Sequence, residues 1–270
     1  MQQTSELYKE LIQNPNHRFE VSLVIGDSGL LLDNKGDYIT FGLGANATRI
    51  LVDSGTADGG FNETFLISLS TTSRIFDEDN LQVGCAIASE IDVEMIAPVA
   101  EIPKKARVVP YIRVTDGAQH SEWIQKGVYY IDTREISTGN GGEDVLKFHG
   151  YDLMVTTDVD FPSVSSHDFP CADTQIIQDI ADYMGITVDE RTWEIMTDGY
   201  QIDLPLGYSV REVLRQIAGA YCGAFILNDF GELRLIQING MPPESNLLID
   251  HDGYTIVFGA SPNEEVRLIV

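Results

Sequence analysis

Hydrophobic and polar positions alternate strictly from Arg18 to Ile25. Phe19, Val21, Leu23 and Ile25 fall on one side, and Arg18, Glu20 and Ser22 on the other. A period of two sends successive side chains to opposite faces, so this stretch predicts a half-buried strand. Ahead of it, Thr4 to Ile12 groups Leu7, Leu11 and Ile12 on one helical side, and Asn14-Pro15-Asn16 stops the run. Residues 1–16 therefore read as a short N-terminal helical arm. From Gly26 to Gly60 the chain is dense in Gly, Asp, Asn and Ser, with short apolar runs at Tyr38–Phe41 and Ile50–Val52. That composition predicts strands joined by turns, with a mobile loop over Asp53–Gly60.

Three further stretches, ETFLISLSTTSRIF, LQVGCAIASEIDVEMIAP and ARVVPYIRVTD, are rich in β-branched and aromatic residues, with the breakers DEDN and PKKA between them. EWIQKGVYYIDTREIS and EDVLKFHGYDLM then flank Gly139-Asn140-Gly141-Gly142, a hairpin signal. Many short strands at regular spacing close into a barrel or sandwich, and this is the expectation for residues 17–155. The pattern changes after about residue 155. ADTQIIQDIADYMG places Ile176, Ile177, Ile180 and Met184 on one helical face, with Gly185 as its stop. SVREVLRQIAGAY opens on Ser209 with Glu212 three residues later, a capping-box pattern, and its stripe is Val213, Leu214, Ile217 and Tyr221. GAFILNDFGELRLIQI returns to strand character. Residues 156–238 thus predict a small α+β domain, and 239–270, with the run TIVFG, a further β segment that could be the start or remnant of a second barrel. The fold class expected is mainly β with a smaller α+β part: an antiparallel barrel or sandwich followed by a small helix-containing domain.

Composition adds one unusual fact. The 270 residues carry a formal charge of −25, while hydrophobic content, at 43%, is ordinary for a globular chain. Such a chain repels phosphate backbones, which argues against nucleic-acid binding by charge neutralisation. No apolar run reaches the roughly 20 residues of a membrane-spanning helix. The start, MQQTSELYKELIQNPN, has neither the basic nor the apolar region of a secretory signal. Cys85, Cys171 and Cys222 are odd in number and far apart, which suits reduced, buried thiols.

Candidate chemistry is sparse. Asp229-Phe230-Gly231 matches the magnesium-binding tripeptide of protein kinases, but no His-Arg-Asp loop accompanies it, and FGLGANA (41–47) lacks the third glycine of a phosphate loop. The plainer reading is a hairpin in which Asn228, Asp229 and Gly231 supply the turn. His167 and Cys171 lie close in SSHDFPCAD, yet catalytic Cys–His pairs are usually distant in sequence, and a loop leading into a helix accounts for both. The acidic runs DEDN (77–80) and DHDG (250–253) miss the calcium-loop frame. No two histidines share a helical face, so zinc is not expected. No catalytic residue, cofactor or metal ligand is assigned.

Taken in order, several blocks resemble one family. They are LYKELIQNPNHRFEVSLVI, IFDEDNLQVGCAIASEIDVEMIAP, IPKKARVVPYIRV, SEWIQKGVYYIDTREI, VLKFHGYDLM, DYMGITVDERT and LPLGYSVREVLRQIAGAYCGAFILNDFGELRLI. Together they span most of residues 5–238 and are similar to phage and prophage tail hub proteins, both baseplate hubs of contractile tails and the N-terminal region of siphophage tail-associated lysins. The resemblance implies a virion structural protein at the tail tip or baseplate, made in the bacterial host cytoplasm and built on a tail-tube-like barrel. It implies a homo-oligomer, a trimer above all, that closes the tube and leaves a channel for DNA and tape-measure protein during genome ejection. Implied partners are tail tube and distal tail proteins, the tape-measure protein, and tail fibre or spike proteins. Tight nucleic-acid binding and membrane insertion are not implied. A complete hub carries two barrels per chain; only one is placed here before the sequence ends at EEVRLIV, so a shortened hub and a fragment both remain open.

Two alternatives stand beside the hub: a six-fold distal tail adaptor with the same barrel, and a carbohydrate-binding or cell-wall-degrading tail-tip module. Phe19, Val21, Leu23, Val108, Ile112, Val128, Tyr130 and Ile131 are the candidates for barrel core or subunit interface, two roles that periodicity does not separate.

Overall fold

The computed structural model describes residues 4–26, 54–76, 82–98, 101–138, 142–161, 167–197 and 199–237, with the backbone of 257–258 and 266–267. The runs at 38–41, 50–52, 77–80 and 250–253, the glycine loop at 41–47, and most of the Gly139–Gly142 turn lie outside the described residues, as do the side chains of 239–270.

Helix α1 (Glu6–Gln13) starts on Ser5, whose Oγ accepts the Tyr8 N–H at 3.1 Å. Its entry is anchored away from the helix, because the Ser5 backbone N–H donates to Glu122 Oε1 at 2.7 Å. The helix packs against strand β5 (Arg107–Thr115) and buries Leu11. Strand β1 (Arg18–Gly26) pairs antiparallel with β5 along its whole length, from Arg18↔Thr115 to Gly26↔Arg107.

The main sheet adds β2 (Leu66–Thr72), β4 (Glu90–Ile96), β6 (Ile124–Gln125), β7 (Tyr129–Thr138) and β8 (Asp144–Tyr151). Its order is β1-β5-β7-β8-β4-β2, all antiparallel, with β6 also on β5. An isolated bridge ties β1 to the residues just ahead of β2. Leu23 and Phe61 exchange both backbone bonds, at 2.8 and 2.9 Å, and Phe61 leads directly towards β2. The segment expected as a loop before Gly60 is tied to the same strand: Ser54 N donates to Ile25 O, and Ser54 Oγ accepts from Ile25 N. Leu23, Ile25, Val93, Met95, Val108, Ile131 and Phe148 fill the interior of the sheet.

A second sheet has the order β12-β11-β3, with β11 (Gly223–Leu227) and β12 (Leu233–Gln237) forming a hairpin. Its third strand comes from far upstream. β3 (Cys85–Ala86) runs parallel to β11, with Ala224↔Cys85 and Phe225↔Ala86 in register. Helix α4 (Val210–Ala220) lies over these strands, so closely that a Cβ at Gly84 would stand 2.8 Å from Arg215 O. Gly84 also has φ +77°, and both facts require glycine there.

Helices α2 (Asp173–Met184) and α3 (Glu190–Ile195) and the short pair β9 (Cys171–Ala172) and β10 (Gln201–Ile202) complete this part. β13 (Val257–Phe258) and β14 (Val266–Arg267) form a separate antiparallel pair. Ile176, Ile177, Ile180, Leu214, Phe161 and Phe225 are fully buried in one core. Each such side chain contributes about 1.5–3 kcal/mol relative to exposure. The capping box forms as well: Ser209 Oγ accepts from Glu212 N at 3.2 Å, and Glu212 Oε2 accepts from Ser209 N at 2.7 Å. The chain is mainly antiparallel β with a smaller helix-containing part.

Candidate functional site

The eight barrel candidates separate by burial. Leu23, Val108 and Ile131 lie in the core of the main sheet, and Val128 is buried outside that cluster. Val21, Ile112 and Tyr130 are half-buried. Phe19 is 49% exposed, its ring meeting His17 edge-on at 5.6 Å. The reason lies in the β1–β5 register. Phe19, Val21, Leu23 and Ile25 share a face, but the strands run outwards from the core, so burial falls from Ile25 to Phe19.

The structure brings the other set of residues, at the hairpin, against this sheet. Asn228 organises the turn: its Oδ1 accepts from Phe230 N at 2.9 Å and Glu232 N at 3.0 Å, while Gly231 N donates to Asn228 O. Gly231, at φ +82°, sits where a Cβ would lie 3.2 Å from Val128. Asp229 faces the sheet too, since its carbonyl accepts from Gln125 Nε2 at 2.7 Å and its carboxylate is 3.7 Å from Lys126 Nζ. Val128, Tyr130, Leu153, Leu227 and Phe230 line a cavity of about 360 Å³ at this joint. Asp229 thus stands beside a lysine, and no group of three or more His, Cys, Asp or Glu fit to hold a metal ion occurs among the described residues.

The chain crosses between the two sheets at Ser89 and Asp152, and these residues clamp each other. Asp152 Oδ2 accepts from Ser89 N at 2.9 Å, Asp152 N donates to Ser89 O at 3.0 Å, and Oδ1 caps the 3₁₀ turn Leu153–Thr157 at Met154 N. Burial pushes the Asp152 carboxyl up to about 6, against the pull of these N–H donors and of Arg211. Tyr129, nearby, is pushed up to about 12 by burial and by the charges of Asp152 and Asp229. Arg211 binds the same joint, with Nε and Nη2 on Asp158, Nη1 on Ala86 O at 3.1 Å and Nη2 on Met154 O at 2.9 Å.

Behind the hairpin, Asp189 caps α3 and is held well below the usual carboxylate range by its bonds from Arg191, with Asn228 Nδ2 donating at 2.9 Å. This helix, the Asp152 clamp and the β3–β11 pair have no counterpart in the sequence reading. Asp189 followed by Glu190 was the available signal for α3. A parallel pairing between residues about 140 apart has no local signal at all.

His167 and Cys171 share an acidic neighbour, Asp179. His167 Nε2 lies 3.2 Å from Asp179 Oδ1, and Cys171 is buried, its thiol pushed up by burial and by Asp179. A thiol held protonated is a poor nucleophile. No helix among the described residues is long and apolar enough to cross a membrane.

No protein-family model matches the chain, and no curated protein matches it. Among solved structures it is similar to the 43 kDa tail protein of prophage MuSo2 from Shewanella oneidensis, with 15% identity and a TM-score of 0.46. That alignment covers 86% of this chain and 59% of the other. It is also similar to the tail protein from Neisseria meningitidis MC58, with 14% identity and a TM-score of 0.35, over 55% of this chain and 42% of that one. The chain spans less than two thirds of either protein.

Proposed function

We propose that the chain is a non-enzymatic structural component of a phage tail or phage-like injection apparatus. In this reading it forms a trimeric hub at the tail tip or baseplate, closing the tube around a channel. The observation that carries the reading is where the tail-hub blocks fall. LYKELIQNPNHRFEVSLVI forms α1 and β1, IPKKARVVPYIRV contains β5, VLKFHGYDLM ends on the Asp152 clamp, and the last block spans α4, β11 and β12. The resemblance therefore rests on residues that build the framework and its joints, which constrain a fold far more than surface loops do.

Two further features support it. In this reading the Leu23–Phe61 bridge, which ties β1 to the residues just ahead of β2, belongs to the closure of a tube-like barrel. A charge of −25, repeated around a ring, lets a polyanion pass without adhering. Leu23, Val108 and Ile131 act as barrel core, and exposed Phe19, with Ile67 on strand β2, belongs to lateral contacts between subunits. Tail tube, distal tail, tape-measure and fibre or spike proteins are the partners in this scheme. Light scattering and electron microscopy of the purified protein test it: a three-fold ring with an acidic bore is expected. A stable monomer, or a bore lined by basic residues, would overturn the hub assignment, and a six-fold ring would reassign the chain to an adaptor.

A further inference from the structure

Beside α4, the residues flanking β10 leave Tyr200, Leu204, Leu206 and Tyr208 exposed within nine residues, Leu206 at 70%. Tyr200, Leu204 and Tyr208 line a cavity of about 420 Å³ whose wall includes Val213 and Ile217 of α4, and Leu206 follows the lining residue Pro205 in the chain. A concentration of large apolar side chains around a concave site marks a binding surface more often than chance exposure does.

The polar lining has one sign. Asp173 and Asp203 contribute carboxylates, and no Lys, Arg or His lines the cavity. Asp173 is fully buried, and no described cation pairs with it. Its oxygens accept from Tyr221 O–H and Thr174 N, both at 2.7 Å, which leaves further acceptor capacity in a carboxylate. A buried carboxylate without a countercharge, next to tyrosine rings, favours a cation that carries an apolar stem. β10 also has no strand partner other than β9 among the described residues, so an extended chain can lie along it.

We propose that this cleft binds an extended segment of another polypeptide, taking a Lys or Arg side chain between Tyr200 and Tyr208 towards Asp173, with flanking apolar residues against Leu204 and Leu206. Charge complementarity selects this occupant: the cleft is acidic on an acidic chain, so a second copy of the same surface is repelled. The assignment goes beyond the hub reading and does not depend on ring formation.

The test is to pan a random-nonapeptide display library on the whole protein, with the double variant Leu206→Ser, Tyr208→Ala as counter-selection. Both replaced side chains are exposed, so the variant should keep its fold. Peptides with Lys or Arg flanked by apolar residues should be enriched on the wild type alone. A synthetic copy of one, with its basic residue changed to norleucine, should bind about tenfold more weakly. Equal recovery on wild type and variant, enriched peptides without a basic residue, or self-association abolished by the double variant would each overturn the proposal.

Discussion

Asp152→Asn should remove a pH dependence from the stability of the chain that the other carboxylates do not supply. The Asp152 carboxyl is raised from its ordinary 3.8 to about 6 in the folded state, with burial as the first cause. The folded state therefore binds this proton more tightly than the unfolded state. The resulting stabilisation is fully present below pH 3.8 and is lost as pH rises through about 6. At 1.36 kcal/mol for each unit separating the two values the limit is about 3 kcal/mol in favour of the wild type, of which about 2 kcal/mol develops between about pH 8 and pH 4. A separate cost does not vary with pH. Asparagine can accept only one of the two N–H bonds from Ser89 and Met154, so one buried donor loses its partner at about 1–3 kcal/mol. Urea unfolding followed by the fluorescence of Trp123 and Trp193, at a series of pH values, separates the two effects. The other carboxylates are common to both proteins and cancel in the difference. The gap between wild type and variant should widen on acidification, beginning near the raised value of about 6 and levelling off below 3.8. A constant gap would refute the argument that the clamp buries a charge.

Two other substitutions address the hairpin and the end of α4. Asn228→Ala removes two accepted N–H bonds in the turn and the donations to Asp189 and Glu232, so a loss of about 2–3 kcal/mol is expected in denaturant unfolding. Asn228→Asp should not restore it, since it puts a third carboxylate beside those two; a rescue by Asp would show that only the turn geometry matters. Cys222 is exposed and left-handed at φ +51°, just after α4, so Cys222→Gly should stabilise the chain by about 1 kcal/mol, measured as a raised unfolding midpoint. In the native wild type, thiol labelling should be fast at Cys222 and slow at buried Cys85 and Cys171; equal rates at all three would contradict the burial described.

The helices and most strands were legible in the sequence because their signals are local. Ser209 and Glu212 announce α4, the apolar stripe of Ile176, Ile177 and Ile180 predicts α2, and Asn228 to Gly231 spell a turn, since capping, periodicity and turn chemistry act over a few residues. The alternation from Phe19 to Ile25 marked a shared face correctly, yet how deeply each residue is buried depended on where the β1–β5 pair leaves the core. Only tertiary structure joined β3 to β11, Leu23 to Phe61 and Ser89 to Asp152, because hydrogen bonds between distant segments leave no periodic trace in the chain. The same holds for Asp173: its sequence position marks the start of a helix, but the fold buries it in the lining of a cavity shared with the exposed Tyr200 and Tyr208. Local sequence determined what each segment can form; long-range packing decided which segments meet, and the joints and the cleft lie where they meet.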